Sequence, residues 1–205
     1  MKIVLATTNR GKVRELSEMM RKAELDITVE GLMDHPGYRA PEENGETFAE
    51  NARIKAVSAA EALGEVVLAD DSGLCVDALS GAPGVHSARF AGEGHDDDAN
   101  IEKLLECMKD VPDGKRQARF VCSLCLAFPN GGFFVAEGDC QGSIARERRG
   151  KFGFGYDPVF LLPDGRMMAE LNGMDKNLIS HRGAAYRLVM PQLRALVKET
   201  PNKTL

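Results

Sequence analysis

The feature that most restricts the fold of this chain is the passage from helix to strand between residues 47 and 73. Thr47 followed three residues later by Glu50 is a capping box, and the alanine-rich segment behind it runs to Leu63 and Gly64, a sequence that starts and stops a helix cleanly. Val66-Val67-Leu68-Ala69 then reads as a short buried strand ending at Asp70-Asp71-Ser72-Gly73. The chain opens in a related way: residues 2–6 are β-prone and apolar, residues 7–12 form a polar turn, and Val13, Leu16, Met19, Met20 and Ala23 recur at helical spacing.

The remaining segments extend this pattern. Residues 35–45, rich in Pro, Gly and Asn, read as a loop. Ile101, Leu104, Leu105 and Met108 predict a helix over 99–109, and residues 117–137 predict a hairpin about Pro129-Asn130-Gly131-Gly132. A loop over 150–157, a short strand over 159–162 and a helix over 181–197, kinked or split at Pro191, complete the chain, with a polar, frayed tail over 199–205. The expectation is an α/β fold, a mixed sheet with flanking helices. At 205 residues, 43% hydrophobic and 28% charged, the chain suits one core and a single domain over 1–205, in two lobes.

Several function classes fall away on composition. The apolar run from Met1 to Ala6 is too short for a signal peptide or a membrane span, so a soluble, cytoplasmic protein with no membrane partner is expected. Five cysteines include one CxxC, Cys122 to Cys125, within a strand-like run and without a second pair; structural buried thiols are expected rather than zinc ligands. His86 and His95 lack metal-like spacing. A net charge of -5 argues against general nucleic-acid binding, and an anionic substrate would need local basic clusters.

Such clusters exist. Thr7, Thr8, Asn9, Arg10, Gly11 and Lys12 occupy a strand-to-helix turn, where free backbone N–H groups and the helix dipole favour phosphate; an ordinary turn is the alternative. Ala6 and Val13 exclude a Walker A loop. Lys55 falls within the apolar stripe of the 47–63 helix, so its ammonium either reaches a cleft or snorkels at the core's edge. Asp70 and Asp71, at a strand end, repel unless a cation offsets them; magnesium fits, with Glu42 and Glu43 as additional ligands, against the alternative of a solvated acidic turn. Residues 153–158, Gly-Phe-Gly-Tyr-Asp-Pro, combine permissive backbone with two aromatics, suited to a flat base or to plugging the core. His181 and Arg182 oppose the macrodipole at a helix start, a conflict that an acceptor-rich ligand removes; otherwise they are exposed basic residues.

In order and spacing these segments, with Gly81-Ala82-Pro83-Gly84 and Ser180-His181-Arg182-Gly183, resemble the inosine triphosphate pyrophosphatases, the RdgB or Ham-type family, over nearly the whole chain. The resemblance implies an elongated mixed α/β sheet with two lobes around a substrate cleft, a homodimer, a Mg2+ cofactor, and hydrolysis of ITP, dITP and XTP to monophosphate and pyrophosphate. By position, residues 7–12 would hold the triphosphate, Asp71 would be catalytic base and metal ligand, and Ser72 would touch substrate. Phe154, Gly155, Tyr156, Asp157, Lys176, His181 and Arg182 would bind the nucleotide, chiefly its base. Thr8 stands where relatives often have Gly, and Lys151-Phe152 where smaller residues are common.

The expected mechanism is water attack at the α-phosphorus, with Asp71 as base and the metal, Lys12 and Lys55 stabilising the leaving group. Base choice would rest on the purine 6-oxygen meeting donors from His181, Arg182 or backbone N–H groups. A related Maf-type pyrophosphatase and a non-enzymatic nucleotide sensor are the alternatives.

Overall fold

A computed structural model of the chain describes residues 1–94 and 96–199. His95 and the expected tail past residue 199 lie outside the described residues. Six strands, β1 (Lys2–Leu5), β2 (Thr28–Gly31), β3 (Val67–Val76), β4 (Gln117–Ala127), β5 (Phe133–Ile144) and β6 (Phe160–Leu161), form one sheet in the order β2-β1-β3-β4-β5-β6. The helices are α1 (Arg10–Lys22), α2 (Phe48–Leu63), α3 (Asp97–Cys107), α4 (Gly173–Ile179) and α5 (His181–Glu199). Parallel pairing of β1 with β2 and β3 and antiparallel pairing of β5 with β6 make the sheet mixed, as expected. Among the described residues no helix is long and apolar enough to cross a membrane.

The chain forms two compact units. Among the described residues the first comprises 1–71, 123–136 and 186–199; the second comprises 72–94, 96–122 and 137–185. In the first unit α2 starts at the Thr47–Glu50 capping box and stops at Gly64, whose φ of +67° suits a residue without Cβ. Its alanines 52, 56, 59 and 60 are fully buried against Val4, Val67 and Ala69, so helix and sheet approach closely. Register Leu5↔Leu68, with Ala6 N–H donating to Leu68 O at 2.8 Å, brings the turn after β1 alongside Asp70. In the second unit Ile101 and Leu104 from α3, with Met108 just past its end, cluster with Leu74 and Val76 of β3 and the packed rings of Phe120 and Phe160, whose centroids lie 4.4 Å apart.

Several expected boundaries are corrected. β3 does not end at the aspartates: it runs through Asp70-Asp71-Ser72-Gly73 to Val76, because lysines neutralise both carboxylates and let the strand continue. Pro191 does not split α5, which runs without interruption from His181 to Glu199. The expected short strand at 159–162 shrinks to Phe160–Leu161, preceded by a helical turn over Asp157–Val159. The hairpin forms as read, with Gly131 N–H donating to Phe128 O at 3.0 Å, although β5 continues to Ile144. Four cysteines are buried, but Cys107, at the last turn of α3, is exposed.

Candidate active site

The first unit gathers charge at one place. Lys55 extends from α2, and its Nζ lies 2.9 Å from both Asp71 Oδ1 and Glu43 Oε2. Its side chain is 14% exposed and that of Asp71 15%, so the ammonium reaches a cleft and is not a solvated snorkel. Asn51, one helical turn before Lys55, accepts the Gly45 N–H at 2.8 Å through Oδ1 and lies close enough to Asp71 to favour its ionised form. Burial pushes the Asp71 carboxyl up; Lys55 and Asn51 pull it back, Glu43 adds to the rise, and the net position is above the ordinary carboxylate value. Burial works against the charge on Lys55, but Asp71 and Glu43 outweigh it and hold the ammonium above its usual value.

Asp70, 4% exposed, takes Lys12 Nζ symmetrically, at 2.9 Å from each carboxylate oxygen. Thr7, Thr8 and Lys12 line a cavity with Glu43, Lys55 and Asp70. Asn9 caps α1, with Oδ1 accepting from Gly11 N–H at 2.8 Å and Lys12 N–H at 3.2 Å. The N–H groups of Gly11 and Lys12 are therefore not free for phosphate, contrary to the reading from the turn alone. Arg10 is exposed at the helix start, and Glu42 is exposed while its neighbour Glu43 joins the cluster.

Three carboxylates (Asp70, Asp71 and Glu43) face two ammonium groups, and the hard oxygen donors are of the kind a divalent cation takes. Lys55 places one positive charge between Asp71 and Glu43. Among the described residues no group of three or more acidic, histidine or cysteine side chains forms a ready-made metal site.

The second unit holds an aromatic pocket. Phe154 stands 62% exposed, with Lys176 Nζ 4.9 Å and Arg182 Cζ 5.8 Å from its ring centroid. His181 and Arg182 begin α5, where Ser180 Oγ accepts the Gly183 N–H at 3.1 Å. His181 is buried, its ring stacked on Phe120 at 4.9 Å between centroids, and Arg182 donates to Ser72 Oγ at 3.4 Å. These are not the exposed basic residues that the sequence left open. Tyr156 is buried, and its hydroxyl donates to Ser87 O at 2.8 Å. Asp157, 3% exposed, lines the same pocket, accepts the Phe154 N–H at 2.9 Å and pairs with Lys176.

A family model described as the Ham1 family matches residues 3–192. The chain belongs to the Ham1 family. It is 52% identical over 197 residues to a dITP/XTP pyrophosphatase of Desulforamulus reducens, covering 96% of this chain and 97% of that protein. The solved structure of a HAM1 protein from Coxiella burnetii shares 42% identity at a TM-score of 0.88, covering 95% and 99% of the two chains. That of a nucleoside-triphosphatase / dITP/XTP pyrophosphatase from Mycobacterium abscessus shares 43% at 0.80, covering 94% and 100%.

For this Ham1 chain, sequence reasoning found the two lysines, the aspartates and the aromatic loop but missed Asn51, Ser87 and Asp97. Asn51 carried a signal, a polar residue one turn before Lys55 on the same helix face. Ser87 lies in a short helical segment with no periodic pattern, yet its Oγ accepts Leu74 N–H at 2.9 Å and donates to Gly84 O at 2.6 Å. Asp97 is one of three consecutive aspartates, and nothing in their order distinguishes it.

Proposed function

We propose that this chain hydrolyses non-canonical purine nucleoside triphosphates (ITP, dITP and XTP) to the monophosphate and pyrophosphate, removing them from the nucleotide pool before incorporation into DNA or RNA. The observation that carries the reading is the Asp71 carboxylate paired with Lys55 at 2.9 Å: a largely buried base with a raised proton affinity beside cations suited to a polyphosphate. The names of the relatives, dITP/XTP pyrophosphatases at about half identity over nearly the full length, support the same substrate class.

In the proposed mechanism water attacks the α-phosphorus and Asp71 accepts its proton. The new bond is from water oxygen to α-phosphorus, the bond broken joins that phosphorus to the α–β bridging oxygen, and pyrophosphate leaves with the bonding pair. Lys12 and Lys55 transfer part of their charge pairing from carboxylates to the departing pyrophosphate. Asp71 and Glu43, with Asp70 and Glu42 as neighbours, would hold a magnesium ion, which when bound supplies positive charge to the triphosphate. In the second unit Phe154 offers its face to the purine, while Lys176, His181, Arg182 and Ser72 supply polar contacts to it. Residues 1–205 act as a single catalytic domain in the cytoplasm, as a homodimer, with neither nucleic acid nor membrane as partner.

The test is pyrophosphate release from ITP, dITP, XTP, ATP and GTP at equal concentration, with magnesium and with chelator. Fast, magnesium-dependent turnover of the first three is expected. Equal rates on ATP and GTP would contradict the substrate class, and retained binding without turnover would make the chain a sensor.

A further inference from the structure

Three aspartates, 96, 97 and 98, stand at the start of α3, and each has a different task. Asp96 caps the helix, its Oδ1 accepting from Asp98 N–H at 3.0 Å and Ala99 N–H at 3.1 Å. Asp98 is held by Arg148, whose Nη2 also donates to Asp98 O at 3.1 Å. Asp97 is left over from both tasks. Its Oδ2 accepts the Gly155 N–H at 2.7 Å, from a helix N-terminus that favours a carboxylate. The loop from 148 to 155 is thereby tied to the same helix start at both ends.

One residue earlier, the Phe154 N–H goes to Asp157 Oδ2 at 2.9 Å. Two successive N–H groups of the glycine loop are therefore held by two carboxylates from different segments, and neither is open to a base. Of the donors named for the purine 6-oxygen, these two backbone N–H groups are therefore already taken. What the loop presents instead is the Phe154 ring, with the Lys176 and Arg182 cations close to it.

We propose that Asp97 is a positioning residue for base recognition, fixing the Phe154 platform through the Gly155 N–H; this rests on the nucleotide reading given above. Asp97 lines the same pocket as Phe154, Lys176 and Arg182, yet its hydrogen-bonding oxygen is committed to the loop. Without that bond the ring and its cations are held from one side only, by Asp157, and the ordering of the loop falls on substrate binding. The effect therefore lies in KM and not in the chemical step.

The experiment compares wild type, Asp97→Ala and Asp97→Asn as full chains, by steady-state kinetics on dITP and by amide hydrogen exchange. In Asp97→Ala, KM rises about tenfold, as for loss of one charge-assisted hydrogen bond, and kcat stays within about twofold. Exchange at the Gly155 amide quickens by about tenfold or more, while the Phe154 amide, held by Asp157, keeps its protection. Asp97→Asn keeps an acceptor oxygen and recovers most of both effects. Should the alanine variant not fold, Asp97→Ser, whose short hydroxyl suits a helix start, carries the same expectation. An unchanged KM, a fall in kcat at constant KM, or an unchanged Gly155 exchange rate overturns the proposal. If wild type itself does not turn over dITP, the functional reading fails, and Gly155 exchange still decides whether Asp97 fixes the loop.

Discussion

Lys55 Nζ sits 2.9 Å from Asp71 Oδ1 and, on its other side, 2.9 Å from Glu43 Oε2, so one ammonium joins a strand carboxylate to a loop carboxylate. Lys55→Met removes the charge that offsets both. Turnover is expected to fall by about 100-fold or more. Stability is expected to drop by about 2 kcal/mol, less than the ~3–5 kcal/mol for breaking a fully buried pair, because Glu43 is exposed enough to be solvated. Kinetics and urea denaturation of the variant check both.

The raised Asp71 carboxyl sets the acid side of the pH profile. As a base Asp71 works only when ionised, so kcat/KM, which reports the free enzyme, is expected to rise with pH through a value above the ordinary ~3.9 for aspartate. In Lys55→Met, where Lys55 no longer pulls the carboxyl down, that limb moves further up. A limb at the ordinary aspartate value, unmoved in the variant, would separate Asp71 from the proton transfer.

Stability carries the opposite sign from that of a salt-bridged carboxylate. With the folded value above the unfolded one, the folded state binds more protons between the two, and stability falls as pH rises through that window. The stability of wild type minus that of Asp71→Asn is therefore expected to decline with rising pH from the ordinary aspartate value upward. Chemical denaturation of both proteins across that range measures it.

Gly153 has a backbone φ of +82°, and a Cβ added there would collide with Asp157 Oδ2. Gly153→Ala must displace the carboxylate that holds Phe154 N–H and Lys176. A loss of about 1–3 kcal/mol is expected from backbone strain alone, with a raised KM for dITP. Thermal melting and steady-state kinetics test this.

Thiol reactivity follows burial. Burial pushes the Cys125 and Cys140 thiols up to about 11, whereas Cys107 is exposed. Under native conditions a thiol reagent is expected to modify Cys107 rapidly and the other four only on unfolding, and Cys107→Ser should abolish the rapid phase.

The sequence was most legible where local rules and tertiary structure agree. The Thr47–Glu50 box and Gly64 bound α2 as read, and the Pro129–Gly132 turn closes its hairpin, because these signals act over a few residues. The length of β3 is hidden in the sequence because Asp70-Asp71 looks like a strand terminus unless Lys12 and Lys55 are known to lie beside it, and both partners are distant in sequence. The pairing of Asp157 with Lys176 joins residues nineteen apart, and no local pattern announces it. The roles of Ser87 and Asp97 are hydrogen bonds to backbone of remote segments, which leave no periodic or compositional trace.

Hydrolysis of dITP in water enriched with oxygen-18, followed by mass spectrometry of both products, reports which phosphorus the water attacks. Attack at the α-phosphorus, with Asp71 taking the proton of the attacking water, places the label in dIMP and none in pyrophosphate. Label in pyrophosphate, or products dIDP and phosphate, would contradict the account.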